Sequence, residues 1–296
     1  MQTNDRLNRW RRSIASIIQR ASAYSYSTTD QRVEHALTIQ DRDKSERECD
    51  LIAEMIPREW TIALDVGCGV GHKFACFDHP TQVARFLIGI EPDGSRADAS
   101  RRAASKMKHV VAHVLHDDVT ALRHLPEGDA DVALCIQVAG HVTKSEFSRI
   151  VHHIHTSLRV GGTFVLCVPV IGADFVGEPG SEGWAPPDDF WHVVNLTVPP
   201  FSPGFRRGVS AAEFDAIATA NTHDQILPVR CFYLDTMPHD AATPMPFQIG
   251  HAPVAVREVA EPRFELAESL IYSVHLLGPD VSKAAVADLI LLYRKT

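Results

Sequence analysis

The 296-residue sequence lacks several features that would place it in a specialised class of protein. Its six cysteines form no Cys-x-x-Cys pair, it contains no internal repeat or low-complexity tract, and no apolar run is long enough to cross a bilayer. No stretch has the pattern of a secretory signal. These absences argue against a disulfide scaffold, a repeat protein and a membrane-spanning protein, and we expect a cytoplasmic protein with reduced thiols.

The sequence also has too few basic residues to favour a nucleic-acid partner. Lysine and arginine together number 29 against 37 acidic residues, which gives a formal net charge of -8. Hydrophobic residues make up 45% of the chain and charged residues 22%, so a sizeable core can form. The length suits one catalytic domain with insertions or two small domains.

The chain is organised around a glycine-rich stretch that follows an apolar run. Residues 60–66 predict a buried strand, which breaks at Gly67, Gly69 and Gly71 before a helix-like segment. The dinucleotide fingerprint requires its third glycine at the position of His72, so the spacing differs from that motif. We expect the free amides of the following helix to point into the same space.

Asp65 lies two residues before the first glycine of this loop. A carboxylate at that position repels a pyrophosphate and attracts a ligand that carries an ammonium group. The segment Asp-Val-Gly-Cys-Gly-Val-Gly, residues 65–71, resembles the first motif of class I S-adenosylmethionine-dependent methyltransferases. The resemblance implies a Rossmann-like α/β fold, with a seven-stranded, mostly parallel sheet, helices on both faces, an N-terminal helical cap and substrate-side insertions. It also implies that the cofactor is S-adenosyl-L-methionine.

The residues after the next three predicted strands extend this resemblance. Glu91 ends the second strand, where α/β nucleotide-binding units place an acidic residue on the ribose hydroxyls. The family places an adenine-binding acid after the third strand; we favour Asp117, while Asp118 also fits a helix N-cap. The fourth strand ends at Gln137, beside the expected position of the sulfonium. The candidate cofactor-binding residues are Asp65, Gly67, Cys68, Gly69, Gly71, Glu91, Pro92, Asp117, Asp118, Val119 and Gln137.

His141 is the candidate catalytic base, because its unperturbed pKa lies near neutrality and related enzymes often carry a histidine here. A role in hydrogen-bonding its own loop is the alternative, and a carboxylate nucleophile would need no base. His152, His153 and His155 have no evident acidic or thiol partner, so we predict no metal site.

The substrate pocket is expected in the second half of the chain. Residues 172–204 are rich in glycine, proline and aromatic side chains, as is typical of lids and binding loops, although an aromatic cluster that only fixes the loop is an equal alternative. Two N-terminal tyrosines could also contact ligand or instead wedge cap helices together. The substrate-binding candidates are Tyr24, Tyr26, Trp184, Trp191, His192 and Arg206, the last as partner of a substrate carboxylate.

We predict a cap over residues 1–58 and a methyltransferase domain over 59–296, with insertions at about 171–208 and 236–280. The cap begins with a basic amphipathic helix that either packs on the domain or lies on an anionic membrane, and we favour packing. Ser45 and Glu48 fit a capping box for a later helix. Residues 226–234 are predicted as the sixth strand and 283–294 as a final antiparallel strand. Residues 264–277 fit a helix or a strand, and their apolar spacing favours a helix.

The predicted function is O- or N-methylation of a small molecule by in-line displacement, with secondary metabolism as the expected setting. Two alternatives remain open at this point. A cyclase or lyase would act on the amino-acid chain of the cofactor itself and release methylthioadenosine. A non-catalytic protein would bind the cofactor without turning it over.

Overall fold

The computed structural model describes residues 2–21, 48–139, 144–171, 259–260, 263–276 and 285–296, with short strand segments at 191–192, 207–208, 225–228 and 247–250. Its helices are α1 (Gln2–Ala21), α2 (48–55), α3 (Gly94–Ala104) and α4 (Lys144–Ser157), with 3₁₀ helices at His72–Phe77 and Val119–His124. The long strands are β1 (Ile62–Val66), β2 (Phe86–Glu91), β3 (Val111–His116), β4 (Ala130–Ile136), β5 (Leu158–Ile171), β10 (Phe264–Leu276) and β11 (Ala285–Lys295). The short strands are β6 (Trp191–His192), β7 (Arg207–Gly208), β8 (Gln225–Pro228) and β9 (Phe247–Gly250).

Seven long strands form one sheet in the order β3-β2-β1-β4-β5-β11-β10, with β6 and β7 paired to β10. The first five strands are parallel, and β11 runs antiparallel to both of its neighbours. The predicted Rossmann-like, mostly parallel sheet is therefore confirmed. Successive strands are added to one side of β1 up to β3 and to its other side from β4 onward, so the strand order switches between β1 and β4. The carboxyl ends of strands at such a switch point are the expected ligand edge.

Two hydrophobic cores cover the two faces of this sheet, because alternate strand residues point to opposite sides. Ile62, Leu64 and Val66 of β1 pack with α1 and α4 on one face. Ala63 lies on the other face with α2 and the 72–77 helix. All seven residues of β4 are buried, as expected of a central parallel strand.

The N-terminal helix α1 packs on the sheet with its apolar side. Leu7, Trp10 and Ile14 are buried in the same core as β1, β2 and β4. The indole Nε1 of Trp10 donates to Asp129 Oδ2 at 2.9 Å, and basic side chains of α1 bind the same acidic end of β4. The packed arrangement is thus the one observed, and these apolar side chains are not available to a membrane surface.

Two predictions about the last third of the sheet were wrong. Residues 264–276 form strand β10, which pairs with β11 along its length, where a helix was predicted. The predicted sixth strand at 226–234 overlaps β8, but β8 pairs with β9 in a separate two-stranded sheet, and β10 takes the sixth position. Register shifts between Leu266 and Glu268 and between Ile271 and Ser273 break the two-residue alternation, so the apolar spacing imitates a helix.

The structure gives no test of the division into a 1–58 cap and a 59–296 domain, which stays a prediction. Among the described residues, no helix combines the length and apolar character needed to traverse a membrane. Within the same residues, no group of three or more His, Cys, Asp or Glu side chains is arranged to hold a metal ion. The five described cysteines, Cys49, Cys68, Cys76, Cys135 and Cys167, are buried and unpaired by disulfides. Cys231 lies outside the described residues.

Candidate functional site

The structure brings the predicted cofactor-binding residues to one edge of the sheet. Asp65 is the last but one residue of β1, Glu91 ends β2, Asp117 follows β3, and Gln137 follows β4. Because β3, β2, β1 and β4 are neighbours and parallel, their carboxyl ends lie side by side. The glycine loop leaves β1 in the middle of this edge.

The glycine loop has a backbone that only glycine adopts easily. Gly67, Gly69 and Gly71 have φ values of 76°, 57° and 86°, all in the left-handed region. A Cβ added to Gly67 would lie 2.3 Å from Cγ2 of Val138, so the loop also needs a missing side chain at this contact. The loop is therefore fixed by the residues after β4.

The backbone amides of this loop are directed inward, toward the end of β2. The amides of Gly67 and Cys68 both donate to the carbonyl of Ile90, at 2.8 and 3.1 Å. The amide of Gly71 donates to the carbonyl of Cys68 at 2.9 Å, and that of Gly69 donates to Glu91. These four amides already have acceptors within the protein and offer little to a phosphate, in agreement with the departure from the dinucleotide fingerprint.

The predicted helix after the loop is only a short 3₁₀ helix, His72–Phe77. The amide of Phe74, in the first turn of this helix, donates to the carbonyl of Gly71 at 3.2 Å and is therefore not free for a ligand. So short a 3₁₀ helix has a small dipole, so charge recognition at this edge depends on side chains.

Glu91 is held in a fixed orientation by two backbone amides. Its Oε2 accepts from Gly69 at 2.8 Å and its Oε1 accepts from Asp93 at 3.0 Å. Burial raises the pKa of Glu91, and the nearby Arg96 and these two amides oppose the rise. A carboxylate has about four lone-pair sites, so each oxygen can accept one further hydroxyl.

Asp65 is a buried carboxyl group with one unpartnered oxygen among the described residues. It is 1% exposed, and no hydrogen-bond donor of the described residues reaches its buried Oδ2. Burial raises the pKa of Asp65 to about 7, Lys73 opposes the rise, and Glu91 adds to it. An ionised carboxylate in such a place is costly unless a cation pairs with it.

The two acids after β3 have different surroundings. Oδ1 of Asp118 accepts from the amide of Thr120 at 2.7 Å, so Asp118 caps the 119–124 helix. Asp117 Oδ1 accepts from the amide of Asp118 at 2.8 Å and is partly exposed. Val119 begins the 3₁₀ helix and packs against the core. The capping alternative for Asp118 is thus observed, which leaves Asp117 as the freer carboxylate.

Gln137 is the one described non-glycine residue with a left-handed backbone, at φ 58°. Its amide donates to the carbonyl of Cys167 at 2.9 Å, and its Nε2 donates to Cys167 Sγ at 3.3 Å. This turn places Val138 over Gly67. Strained backbone at a sheet edge is a common property of functional sites.

Sequence reasoning missed three charged residues at this edge, namely Lys73, Glu48 and Arg96. Lys73 forms a buried ion pair with Glu48 and acts on the charge of Asp65. The guanidinium of Arg96 covers Gly69, since its Nη2 lies 3.0 Å from where a Cβ would stand. The sequence does contain a signal for a buried, paired lysine, because Lys73 begins the otherwise apolar run 73–77.

The predicted catalytic residue and most substrate residues cannot be placed. His141, Tyr24, Tyr26, Trp184 and Arg206 lie outside the described residues. The backbones of Trp191 and His192 form β6, which pairs with the end of β10, but their side chains are not described.

The arrangement fits a ligand with a cationic end and a pair of hydroxyls. Asp65 presents a buried, unpartnered carboxylate oxygen, and Glu91 presents an oriented carboxylate one strand away. The two acids repel each other, so a cation between or beside them relieves both. These properties match the ammonium group and ribose of S-adenosyl-L-methionine.

Comparison with known proteins agrees with this arrangement. Residues 64–166, which run from β1 to β5, match a family model described as a methyltransferase domain. No curated protein sequence matches the chain significantly.

Solved structures that are similar to this chain include three that cover most of it. The PH0226 protein of Pyrococcus horikoshii is 13% identical, with a TM-score of 0.49 over 88% of this chain and 93% of its own. A Burkholderia thailandensis 1,6-didemethyltoxoflavin-N1-methyltransferase is 14% identical, with a TM-score of 0.45 over 95% and 88%. A SAM-dependent methyltransferase of Methanosarcina mazei is 13% identical, with a TM-score of 0.45 over 83% and 96%.

The family-model match falls on the segment that carries the glycine loop, Asp65 and Glu91. The strand order β3-β2-β1-β4-β5-β11-β10, with β11 alone reversed among the long strands, is the sheet that the sequence motif implied. Residues 64–166 thus match the methyltransferase-domain family, and this match supports S-adenosyl-L-methionine as the cofactor.

Proposed function

We propose that this protein methylates a small molecule at an oxygen or nitrogen atom, with S-adenosyl-L-methionine as methyl donor. The observation that carries the proposal is the pair of buried carboxylates, Asp65 and Glu91, at adjacent strand ends around the glycine loop. The net charge of -8 and the aromatic 172–204 segment favour a small substrate over a nucleic acid.

In this proposal, the two acids hold opposite ends of the cofactor. Asp65 pairs with the ammonium group, Glu91 accepts from the ribose hydroxyls, and Asp117 accepts from the adenine amino group. The loop residues Gly67, Cys68, Gly69 and Gly71, together with Pro92, Asp118, Val119 and Gln137, shape the surface on which it lies.

The bound cofactor supplies a methyl group on a positively charged sulfur. The protein must then hold the acceptor atom in line with that carbon and exclude water. We propose that His141 removes the proton of a hydroxyl or amine acceptor, as its position after β4 suggests. Tyr24, Tyr26, Trp184, Trp191, His192 and Arg206 are the proposed substrate contacts.

The cofactor assignment is tested with two ligands, of which only one carries the amino-acid chain of the cofactor. S-adenosylhomocysteine carries the ammonium group, whereas methylthioadenosine has the same adenosine without the amino-acid chain. We expect Glu91→Ala to weaken both ligands by about 10- to 100-fold, since it removes hydrogen bonds to a charged group. We expect Asp65→Asn to weaken S-adenosylhomocysteine by at least about tenfold and methylthioadenosine hardly at all. Calorimetry that shows equal effects of both variants on both ligands would contradict the assignment.

The reaction is tested by incubation with cofactor alone and then with a small-molecule extract. Mass spectrometry is expected to show S-adenosylhomocysteine and a metabolite heavier by one methyl group only when the extract is present. Methylthioadenosine formed from cofactor alone would instead establish a cyclase or lyase. Cofactor binding without any turnover would establish a non-catalytic protein.

A further inference from the structure

A buried ion pair lies directly beside the proposed ammonium-binding carboxylate. Lys73 is the second residue of the 72–77 helix, immediately after the glycine loop, and Glu48 lies at the start of the described part of α2. Nζ of Lys73 contacts Oε2 of Glu48, and the two side chains are only 10% and 3% exposed. Charges buried to this degree interact strongly, because little water screens them.

The charges that face Asp65 among the described residues come from two elements. Lys73 of the 72–77 helix is the cation, and it lowers the pKa of Asp65; Glu91 at the end of β2 is the like charge, and it raises this pKa. The thiols near Asp65 belong to Cys68, Cys135 and Cys76, and burial raises the pKa of each, so they stay neutral. The fourth thiol, Cys49 on α2, has a lowered pKa because it hydrogen-bonds to Cys76.

Lys73 nevertheless makes its ion pair with Glu48 and not with Asp65. Its ammonium group contacts the Glu48 carboxylate, while Oδ2 of Asp65 has no donor among the described residues. Burial lowers the pKa of Lys73, but Glu48 reverses this effect and raises it overall, so the lysine stays charged. Glu48 and Asp65 are therefore two acids near a single buried ammonium group.

We propose that Glu48 and Lys73 are positioning residues for cofactor binding: Glu48 retains the lysine, which leaves Asp65 open to the cofactor's ammonium, while the charge of the lysine favours the ionised form of Asp65. This inference rests on the proposed role of Asp65. It makes α2, an element of the predicted cap, part of the cofactor site without any contact to the cofactor.

The two members of the pair have opposite expected effects on the pH dependence of binding. Asp65 binds the ammonium group only when ionised, so affinity falls as pH drops below the Asp65 pKa of about 7. Without Lys73, this pKa rises and the midpoint moves to higher pH. Without Glu48, Lys73 turns to Asp65, so the midpoint moves to lower pH and the affinity at high pH falls, because the lysine now competes with the ligand.

The experiment measures the affinity for S-adenosylhomocysteine between about pH 5.5 and pH 8, a range that brackets the Asp65 pKa. The variants are Lys73→Met, Glu48→Gln, the pair Glu48→Gln/Lys73→Met, which leaves no unpaired buried charge, and Lys73→Arg, which keeps the cation. Methylthioadenosine, which has no ammonium group, is the control ligand. Melting temperatures verify that each variant is folded.

In the wild type, we expect affinity for S-adenosylhomocysteine to fall by up to about tenfold for each pH unit below the midpoint. We expect the double variant and Lys73→Met to move the midpoint upward, by up to about one unit. Glu48→Gln should move it downward, and Lys73→Arg should restore the wild-type profile. The affinity for methylthioadenosine should follow none of these shifts.

Failure of this inference and failure of the proposed role of Asp65 would give different results. A wild-type pH step that stays at the same midpoint in the double variant and in Glu48→Gln would overturn the inference and leave the role of Asp65 intact. A wild type with no pH step, or a step that persists in Asp65→Asn, would overturn the role of Asp65 itself.

Discussion

At the scale of single residues, the glycine loop shows how a motif can be required by the protein as well as by a ligand. Gly67 has a left-handed backbone and contacts Val138 where a Cβ would stand. Gly128, in the turn before β4, has a similar φ of 62° with nothing within 4 Å of its virtual Cβ. Substitutions at the two glycines therefore distinguish the cost of backbone strain from the cost of a steric conflict.

We expect Gly128→Ala to cost about 1 kcal/mol of stability, from the left-handed backbone alone. Gly67→Ala carries this strain and the conflict with Val138, so it should cost about 3 kcal/mol and weaken cofactor binding. Chemical denaturation measures both. The added replacement Val138→Ala should recover part of the loss in Gly67→Ala, and equal losses at the two glycines would argue against the steric contact.

Arg96 has a separate effect on Glu91. Its guanidinium lowers the pKa of Glu91, so its removal should let that carboxyl accept a proton at a higher pH than in the wild type. We expect Arg96→Met to weaken methylthioadenosine binding as the pH falls, beginning at a higher pH than in the wild type. Calorimetry across pH measures this change. Arg102→Met, at the exposed end of the same helix, removes the same charge and should leave the profile unchanged.

The sequence predicted the acids of the site but not the residues that tune them. Asp65 and Glu91 follow short apolar runs, and strand ends are recognisable from such runs. Glu48 was expected in a capping box with Ser45, which lies outside the described residues. Its carboxylate also pairs with Lys73, which is 25 positions away in the chain. That contact exists only because α2 and the 72–77 helix pack in one core, and no local pattern encodes it.

At the scale of elements, Asp131 joins four parts of the fold at the amino ends of the strands. Its Oδ2 accepts from the amides of Thr61 and Ile62 at 2.7 and 2.9 Å, and its Oδ1 accepts from Nε of Arg159 at 2.7 Å. Arg6 of α1 reaches the same carboxylate. One side chain thus holds together the starts of β1, β4 and β5 and the N-terminal helix.

We expect Asp131→Asn to cost about 3 kcal/mol, because the amide that replaces one oxygen faces backbone donors and the buried charge pair is broken. Burial raises the pKa of Asp131, but the amides of Ile62 and Thr61, with Arg159 and Arg6, hold it below its ordinary value. Its contribution is therefore present above about pH 4 and is lost as the pH falls through the lower folded value. Denaturation at neutral and acidic pH measures both effects, and Asp98→Asn, at an exposed ion pair, should change little.

The long strands differ in how far their sequences reveal them. The central strands β1, β2 and β4 have continuous apolar residues, and these were predicted within a few positions. Strand β10 was predicted as a helix, because two register shifts against β11 remove its alternation. Its conformation is decided by pairing with a strand that follows later in the chain, and local propensity is a weak guide in that situation.

At the scale of the whole molecule, cofactor affinity and the stability of the ligand-free fold are expected to change with pH in opposite directions. The pKa of Asp65 is raised from 3.8 to about 7 in the folded protein, so the folded state binds more protons than the unfolded state between these values. Stability in the absence of ligand should therefore decrease as the pH rises from about 4 to 7, by up to about 4 kcal/mol from this group. Ligand binding at Asp65 offsets the loss, because it supplies the missing cation.

Asp65→Asn removes this ionisation. We expect the unfolding free energy of the variant, minus that of the wild type, to increase by up to about 4 kcal/mol between pH 4 and pH 7 in the absence of ligand. Denaturant titrations at several pH values measure this difference. A difference that stays constant across the range would show that Asp65 ionises normally in the folded protein. Saturating S-adenosylhomocysteine should stabilise the wild type more than the variant.

The anchoring of α1 on Asp129 and Asp131 also has a consequence for synthesis in the cell. Trp10 and Arg6 bind residues that lie 119 to 125 positions later in the chain. At ordinary translation rates, their partners emerge from the ribosome on the order of ten seconds after the helix does. During that interval the nascent chain carries Leu7, Trp10 and Ile14 without their final burial site, which makes this first segment a natural substrate for holding chaperones.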